Sequence, residues 1–298
     1  MYDCMKENST ELIEKLAKFP YITKYYGPHL NSLDKSHPLI RHLMDDYSLF
    51  EFSLNKMNMM LEKLDDWKDI PKIVRESKNP PQFFDTLSEL KVAAELIDRV
   101  NYIRKLHTPD FEIQIDNKVI TLEVKRIRDK LGNSSDNENN SNDSQYAQIV
   151  DDIKTIIGDS ENSILERHQY REGIPHILIF DCSLLMGSVD FEDSLYLKQN
   201  EPIFKDHGKK GKKVKNEKLF YQKDDAGNNV YLCLSGIIGI FDFQSISTIP
   251  DINQISITKP QWIFYENPFS DPEVKITNEI LGHLKLKKFN GLNLQQLH

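Results

Sequence analysis

The stretch from His107 to Arg128, HTPDFEIQIDNKVITLEVKRIR, most narrows what this chain can fold into. From Asp110 to Ile115, apolar Phe111, Ile113 and Ile115 alternate with Asp110, Glu112 and Gln114, the period-two pattern of a half-buried strand. A second arm follows, in which Ile120, Leu122 and Val124 share one face and Thr121, Glu123 and Lys125 the other, because successive strand side chains point to opposite sides. Asp116 and Asn117 supply the turn, so the stretch is expected to be a β-hairpin.

A two-residue turn at Asp116-Asn117 sets Asp110 opposite Glu123, and one at Asn117-Lys118 sets it opposite Lys125. Both registers gather the three ionisable groups on one face, whereas a one-residue slip would bury Asp110 among apolar side chains. Facing carboxylates repel unless a cation lies between them, and hard oxygen donors suit Mg²⁺ or Mn²⁺. A lysine two residues further on can hold a water or an anionic substrate beside that ion. This is chemistry for a phosphodiester.

Pro109-Asp110 followed by Glu123-Val124-Lys125 resembles the motif of the PD-(D/E)xK nuclease superfamily, which includes many restriction endonucleases and Holliday-junction resolvases. The resemblance covers roughly a third of the chain. It implies an α/β fold with a restriction-endonuclease-like core, a mixed central sheet flanked by helices. It also implies a Mg²⁺-dependent endonuclease acting on DNA, with RNA not excluded, in restriction, defence or DNA processing. Asp110 and Glu123 would bind the metal, aided by the Val124 carbonyl, and Lys125 would position the attacking water and steady charge on the phosphate. The alternative is a protein that keeps this fold without cleaving and acts as a nucleic-acid-binding or scaffolding module.

The helix before the hairpin bears on the same site. Pro80-Pro81 marks a boundary, since proline disfavours helix before it and suits the first turn after it. From there to about Val100, Phe83, Leu87, Leu90, Ala94 and Ile97 form an apolar stripe widened by Ala93 and Leu96. Glu89 lies on its edge, while Ser88, Lys91, Glu95, Asp98 and Arg99 fall on the polar side. The run from Glu89 to Ala94 is similar to the superfamily helix whose glutamate helps hold metal or water, which implies that role for Glu89.

Two domains are expected, a helical module over 1–80 and the nuclease-like domain over 81–298 with a C-terminal extension. In the module, Ile40, Leu43, Tyr47, Phe50, Leu54, Met57, Leu61 and Leu64 keep a 3-4 alternation in one long helix after Pro38. That seam serves an intramolecular bundle or an interface between two copies, making a homodimer. Residues Asn101 to Leu106 read as a short strand, and Ile174 to Phe180 as a continuous apolar strand for the middle of a covered sheet. Between them lie an Asn/Ser-rich loop, Gly132 to Ser144, and an amphipathic helix from Gln145 to about His168. Strands are expected at Val230 to Phe241 and Gln254 to Tyr265, and a final helix near Lys275 to Lys288. Gly236 and Gly239 suggest a bulge or a close backbone approach.

The net charge of −8 speaks against a protein that coats nucleic acid non-specifically, and leaves room for a local basic patch. Lys205 to Lys218 is such a patch, and Lys209, Lys210, Lys212 and Lys213 are its expected phosphate contacts. Cys4, Cys182 and Cys233 are widely spaced and form neither a disulfide framework nor a zinc motif, so they read as inert thiols. A polar N-terminus and the absence of a long apolar run give the expectation of a cytoplasmic protein with no membrane partner.

Overall fold

The computed structural model describes residues 12, 14–33, 35–44, 48–126, 171–182, 220, 227, 229, 231–241, 244–246, 255–257 and 260–289. The Gly132 to Ser144 loop, the Gln145 to His168 helix and the Lys205 to Lys218 run lie outside them. The chain is α/β and divides into two compact units, Met1–Lys118 and Val119–His298.

The first unit is a set of short helices with a two-stranded ladder. Helix α1 spans Pro20–Tyr26, α2 Pro38–Met44, α3 Ser48–Lys63, α4 Ile70–Glu76 and α5 Pro80–Leu96. The seam read as one helix is thus carried by two. Leu43, Leu54, Met57, Leu61 and Leu64 are all buried in this unit, where α1 and α5 both pack on α3. Asn58 of α3 ties the packing down, its Oδ1 accepting from Tyr21 N at 2.9 Å and Ile22 N at 3.3 Å, two donors that the first turn of α1 leaves free. Helix α5 starts where the prolines predict: Asn79 caps it, its side chain accepting from Gln82 N at 3.0 Å. Phe83 fills the centre, edge-on to Tyr26 and His37 at centroid distances of 6.5 and 5.0 Å. The stripe on α5 is wider than its periodicity suggests. Thr86, Ser88 and Val92 are buried with the apolar set, and Leu87 is only half-buried.

Strands β1, Tyr102–Lys105, and β2, Phe111–Ile115, pair antiparallel with Ile103 opposite Ile113 and Lys105 opposite Phe111. Trp67 locks them to the helices by stacking near Phe111 and donating from Nε1 to Ile103 O at 3.0 Å. The turn after β2 uses Asp116 in the left-handed region, φ 52°, a conformation that Asp tolerates better than most residues.

The second unit holds β3, Lys118–Arg126 (whose first residue closes the other unit), then β4, His176–Asp181, and β5, Leu234–Phe241. These three run parallel in that order, and β8, Gln261–Glu266, joins β5 antiparallel. All six residues of β4 are buried, as expected for a central strand covered on both faces. A separate small ladder pairs β6, Gln244–Ile246, with β7, Ile255–Ile257. The single strand read over Gln254 to Tyr265 is therefore two strands, divided before Pro260, which has no N–H for a ladder. The final helix is also shorter than its pattern. Helix α6 spans only Asn278–His283, because Lys285 turns left-handed at φ 53° and the chain continues as β9, Lys287–Lys288, parallel to β8.

The glycines of β5 behave as read. Pairing of β4 with β5 shifts register where Leu234 and Gly236 face His176 and Ile177, and Ser235 fills the gap, its Oγ accepting from His176 N at 3.0 Å. A Cβ on Gly236 would lie 2.5 Å from Tyr265 O and 2.7 Å from the Phe264 ring. Cys182 is buried, and burial pushes the Cys233 thiol up to about 11, so neither thiol is poised as a thiolate nucleophile. Among the described residues, no helix is long and apolar enough to cross a membrane.

Candidate active site

The motif residues fall in both units. In the first, Asp110 immediately precedes β2, Glu89 faces it from α5, and a lysine that sequence reasoning passed over stands between them. Lys105 Nζ lies 2.7 Å from Glu89 Oε2 and 2.9 Å from Asp110 Oδ1. The Lys105 side chain is only 3% exposed and each carboxylate 14%. Its ammonium also rests 5.4 Å from the centroid of the Phe111 ring. The backbone that delivers it is held on both sides. Lys105 N donates to Asp69 Oδ2 at 2.7 Å, and its carbonyl accepts from Lys72 Nζ at 3.2 Å.

Charge and burial oppose one another in this cluster. Burial alone would lower the Lys105 pKa, but Asp110 and Glu89 more than reverse it and the lysine is held above its ordinary value. Burial and the adjacent Asp110 charge push Glu89 up to about 8, against a smaller pull from Lys105. Although Lys105 is close, no donor is aligned on Glu89 Oε2, and that oxygen has no contact with solvent. Glu89, at the edge of the apolar stripe, is half-buried with its side chain 14% exposed. The signal for Lys105 was the alternation of β1, whose exposed-buried pattern puts Ile103 and Lys105 on one face.

A raised carboxyl makes folding sensitive to pH. Between its ordinary value of 4.5 and about 8, Glu89 keeps in the folded protein a proton that the unfolded chain releases, so its contribution to stability falls as pH rises through that window. Glu89→Gln has no proton to lose. It is expected to flatten the pH dependence of the melting temperature and to exceed wild type above about pH 8 by on the order of a few kcal/mol. Thermal melts from about pH 5 to about pH 9 check this, and parallel profiles for the two proteins would refute it.

In the second unit, Glu123 and Lys125 lie two residues apart on one face of β3 and form an ion pair between Glu123 Oε1 and Lys125 Nζ. Glu123 is 3% exposed and Lys125 31%. Val124 between them is buried. One step beyond, Arg126 is in register with Asp181, a buried carboxylate at the end of β4 that the sequence did not single out. Both sit at the carboxyl ends of parallel strands, where open α/β sheets place their ligands.

The half-buried strand expected of β2 and β3 is covered on both faces instead. Glu112 is 8% exposed, paired to Arg104 Nη2 at 2.7 Å, and Thr121 Oγ1 lies 2.8 Å from His176 Nδ1. Beside the Lys105 cluster, Lys72, Arg75, Glu76, Lys78 and Gln82 line an open hollow of mostly cationic character. The expected phosphate contacts Lys209, Lys210, Lys212 and Lys213 are outside the described residues.

Within the first unit Glu89 and Asp110 offer oxygen donors of the hard type that Mg²⁺ and Mn²⁺ prefer, and within the second Glu123 does. By donor type these carboxylates suit a divalent cation. Comparison of the chain with family models, with curated proteins and with solved structures finds no match.

Proposed function

We propose that this chain is a Mg²⁺-dependent endonuclease with a restriction-endonuclease-like core, hydrolysing phosphodiester bonds of DNA. The observation that carries the reading is the low exposure of three carboxylates, each beside a lysine: Asp110 and Glu123 of the PD-(D/E)xK pattern and Glu89 on the helix before it. Buried charges are costly unless paired or bound to metal, and a site for metal and phosphate is where such expense is expected. Only Asp116 and Asn117 separate β2 from β3 in sequence.

By the motif, Asp110 and Glu123 would be the residues to hold the cation, with the Val124 carbonyl as a further oxygen donor, and Glu89 would support the ion or its water. When bound, the ion supplies Lewis-acid polarisation of the phosphate and a more acidic water. Lys125, the more exposed partner of its ion pair, orients the attacking water by hydrogen bonding and steadies negative charge on the phosphate. Arg75 and Lys78 of the hollow, which form no ion pair among the described residues, lie exposed where a polynucleotide backbone can be neutralised.

One observation favours a second reading, a nucleic-acid-binding or scaffolding module without catalysis: Lys105 and Lys125 form ion pairs with the same carboxylates that would hold a cation. A cleavage assay on labelled duplex, single-stranded and branched DNA and on RNA, each with Mg²⁺, Mn²⁺ or EDTA, separates the two. Cation-dependent products from at least one DNA are expected. Binding of nucleic acid with no product from any substrate would favour the scaffold, and products from RNA alone would move the substrate class.

A further inference from the structure

Two carboxylates from different elements converge on one buried ammonium. Glu89 comes from the middle of α5 and Asp110 from the start of β2, and Lys105 reaches both from the edge strand between them in sequence. A divalent cation drawn to the same pair would have to displace the ammonium from between the two carboxylates. The site is closed around Lys105 with little room for solvent, and Glu89 Oε2 has charge beside it but no directed hydrogen bond.

We propose that Lys105 is a positioning residue whose ammonium takes the place between Glu89 and Asp110 that a divalent cation would otherwise take. It holds the two carboxylates about a common centre and competes with a divalent ion for them. The proposal rests on the reading above only in taking Asp110 as a metal ligand. Asp69 and Lys72 fix the backbone on either side, so the ammonium is delivered by the fold and is not a wandering surface charge. Lys105 thus offsets part of the charge of the pair within the fold, and cation affinity is weakened by the same contact.

Lys105→Met tests this, because it removes the charge and keeps an unbranched apolar stem. Melting temperatures are measured for wild type, Lys105→Met and the double variant Glu89→Gln/Lys105→Met, in EDTA and in saturating Ca²⁺ or Mn²⁺. Lys105→Met is expected to melt well below wild type in EDTA and to gain at least about 5 °C more than wild type on adding the cation. The excess should vanish in the double variant, which retains only one carboxylate of the pair. If Lys105→Met does not fold in EDTA, recovery of its fold by Ca²⁺ is the same result.

A cation shift equal to that of wild type, an excess that survives Glu89→Gln, or a variant that stays unfolded with cation present would each overturn the proposal. The outcomes separate from the nuclease reading. Mg²⁺-dependent cleavage by wild type without the excess shift removes only the role of Lys105, and the excess shift in a protein that cleaves nothing removes only the nuclease.

Discussion

Asp110→Ala and Lys125→Ala are each expected to lower the rate of DNA cleavage at least about a hundredfold while leaving the protein folded. The two losses have different origins. Asp110 is a ligand in the proposed site, so its replacement weakens the hold on the cation and should be partly offset by raising Mn²⁺ concentration. Lys125 acts on water and phosphate, so excess metal should not restore its variant. Stability separates them as well. Asp110→Ala leaves Lys105 with Glu89 as its remaining carboxylate within a closed environment, whereas Lys125 is nearly one-third exposed and its loss strands the buried Glu123. Circular dichroism and melting curves establish that each variant is folded, and single-turnover rates then report the chemistry. A variant that is folded and cleaves at the wild-type rate would remove that residue from the site.

Gly236→Ala is expected to destabilise the second unit by at least about 3 kcal/mol, a drop of roughly 10 °C in melting temperature. Overpacking is relieved cheaply where the obstructing atom ends a flexible side chain. Here it does not. The new methyl would meet the Tyr265 carbonyl at 2.5 Å, and that oxygen belongs to the neighbouring strand β8 of the same sheet. Relief requires β5 and β8 to separate, beside a bulge whose polar groups are already satisfied by Ser235 and by Asn267, which donates to Tyr231 O at 2.7 Å and Leu234 O at 2.8 Å. Gly282 provides the control, since a Cβ there meets nothing within 4 Å and its backbone is helical, so Gly282→Ala should be neutral or slightly stabilising. Equal melting temperatures for Gly236→Ala and wild type would show that the β5–β8 approach is looser than the structure has it.

Local patterns carried much of this fold. The alternation in β2 and β3, the apolar run of β4, and the Asn79-Pro80-Pro81 start of α5 are written in adjacent residues, so they are legible without tertiary information. What failed depends on neighbours distant in sequence. Lys105 was passed over because lysines are rarely buried unless paired, and its partners Glu89 and Asp110 are supplied by packing, not by spacing. Ser88 and Glu112 were placed on polar faces that the fold covers. Helix α6 was drawn too long because its periodicity continues past Leu284, while the left-handed backbone at Lys285 has no Gly or Asn to announce it. Asp110, Glu123 and Lys125 were legible as a motif, and the lysine that pairs with Asp110 and Glu89 was not.

Wild type and Asp110→Ala, prepared side by side and incubated with the same duplex in Mg²⁺, in EDTA, and in EDTA followed by excess Mg²⁺, give the most direct measurement. Wild type should cleave in Mg²⁺, stop in EDTA and resume on adding Mg²⁺ back, with Asp110→Ala close to background throughout. Cleavage that persists in EDTA, or that is equal in the two proteins, would contradict a divalent cation held by Asp110.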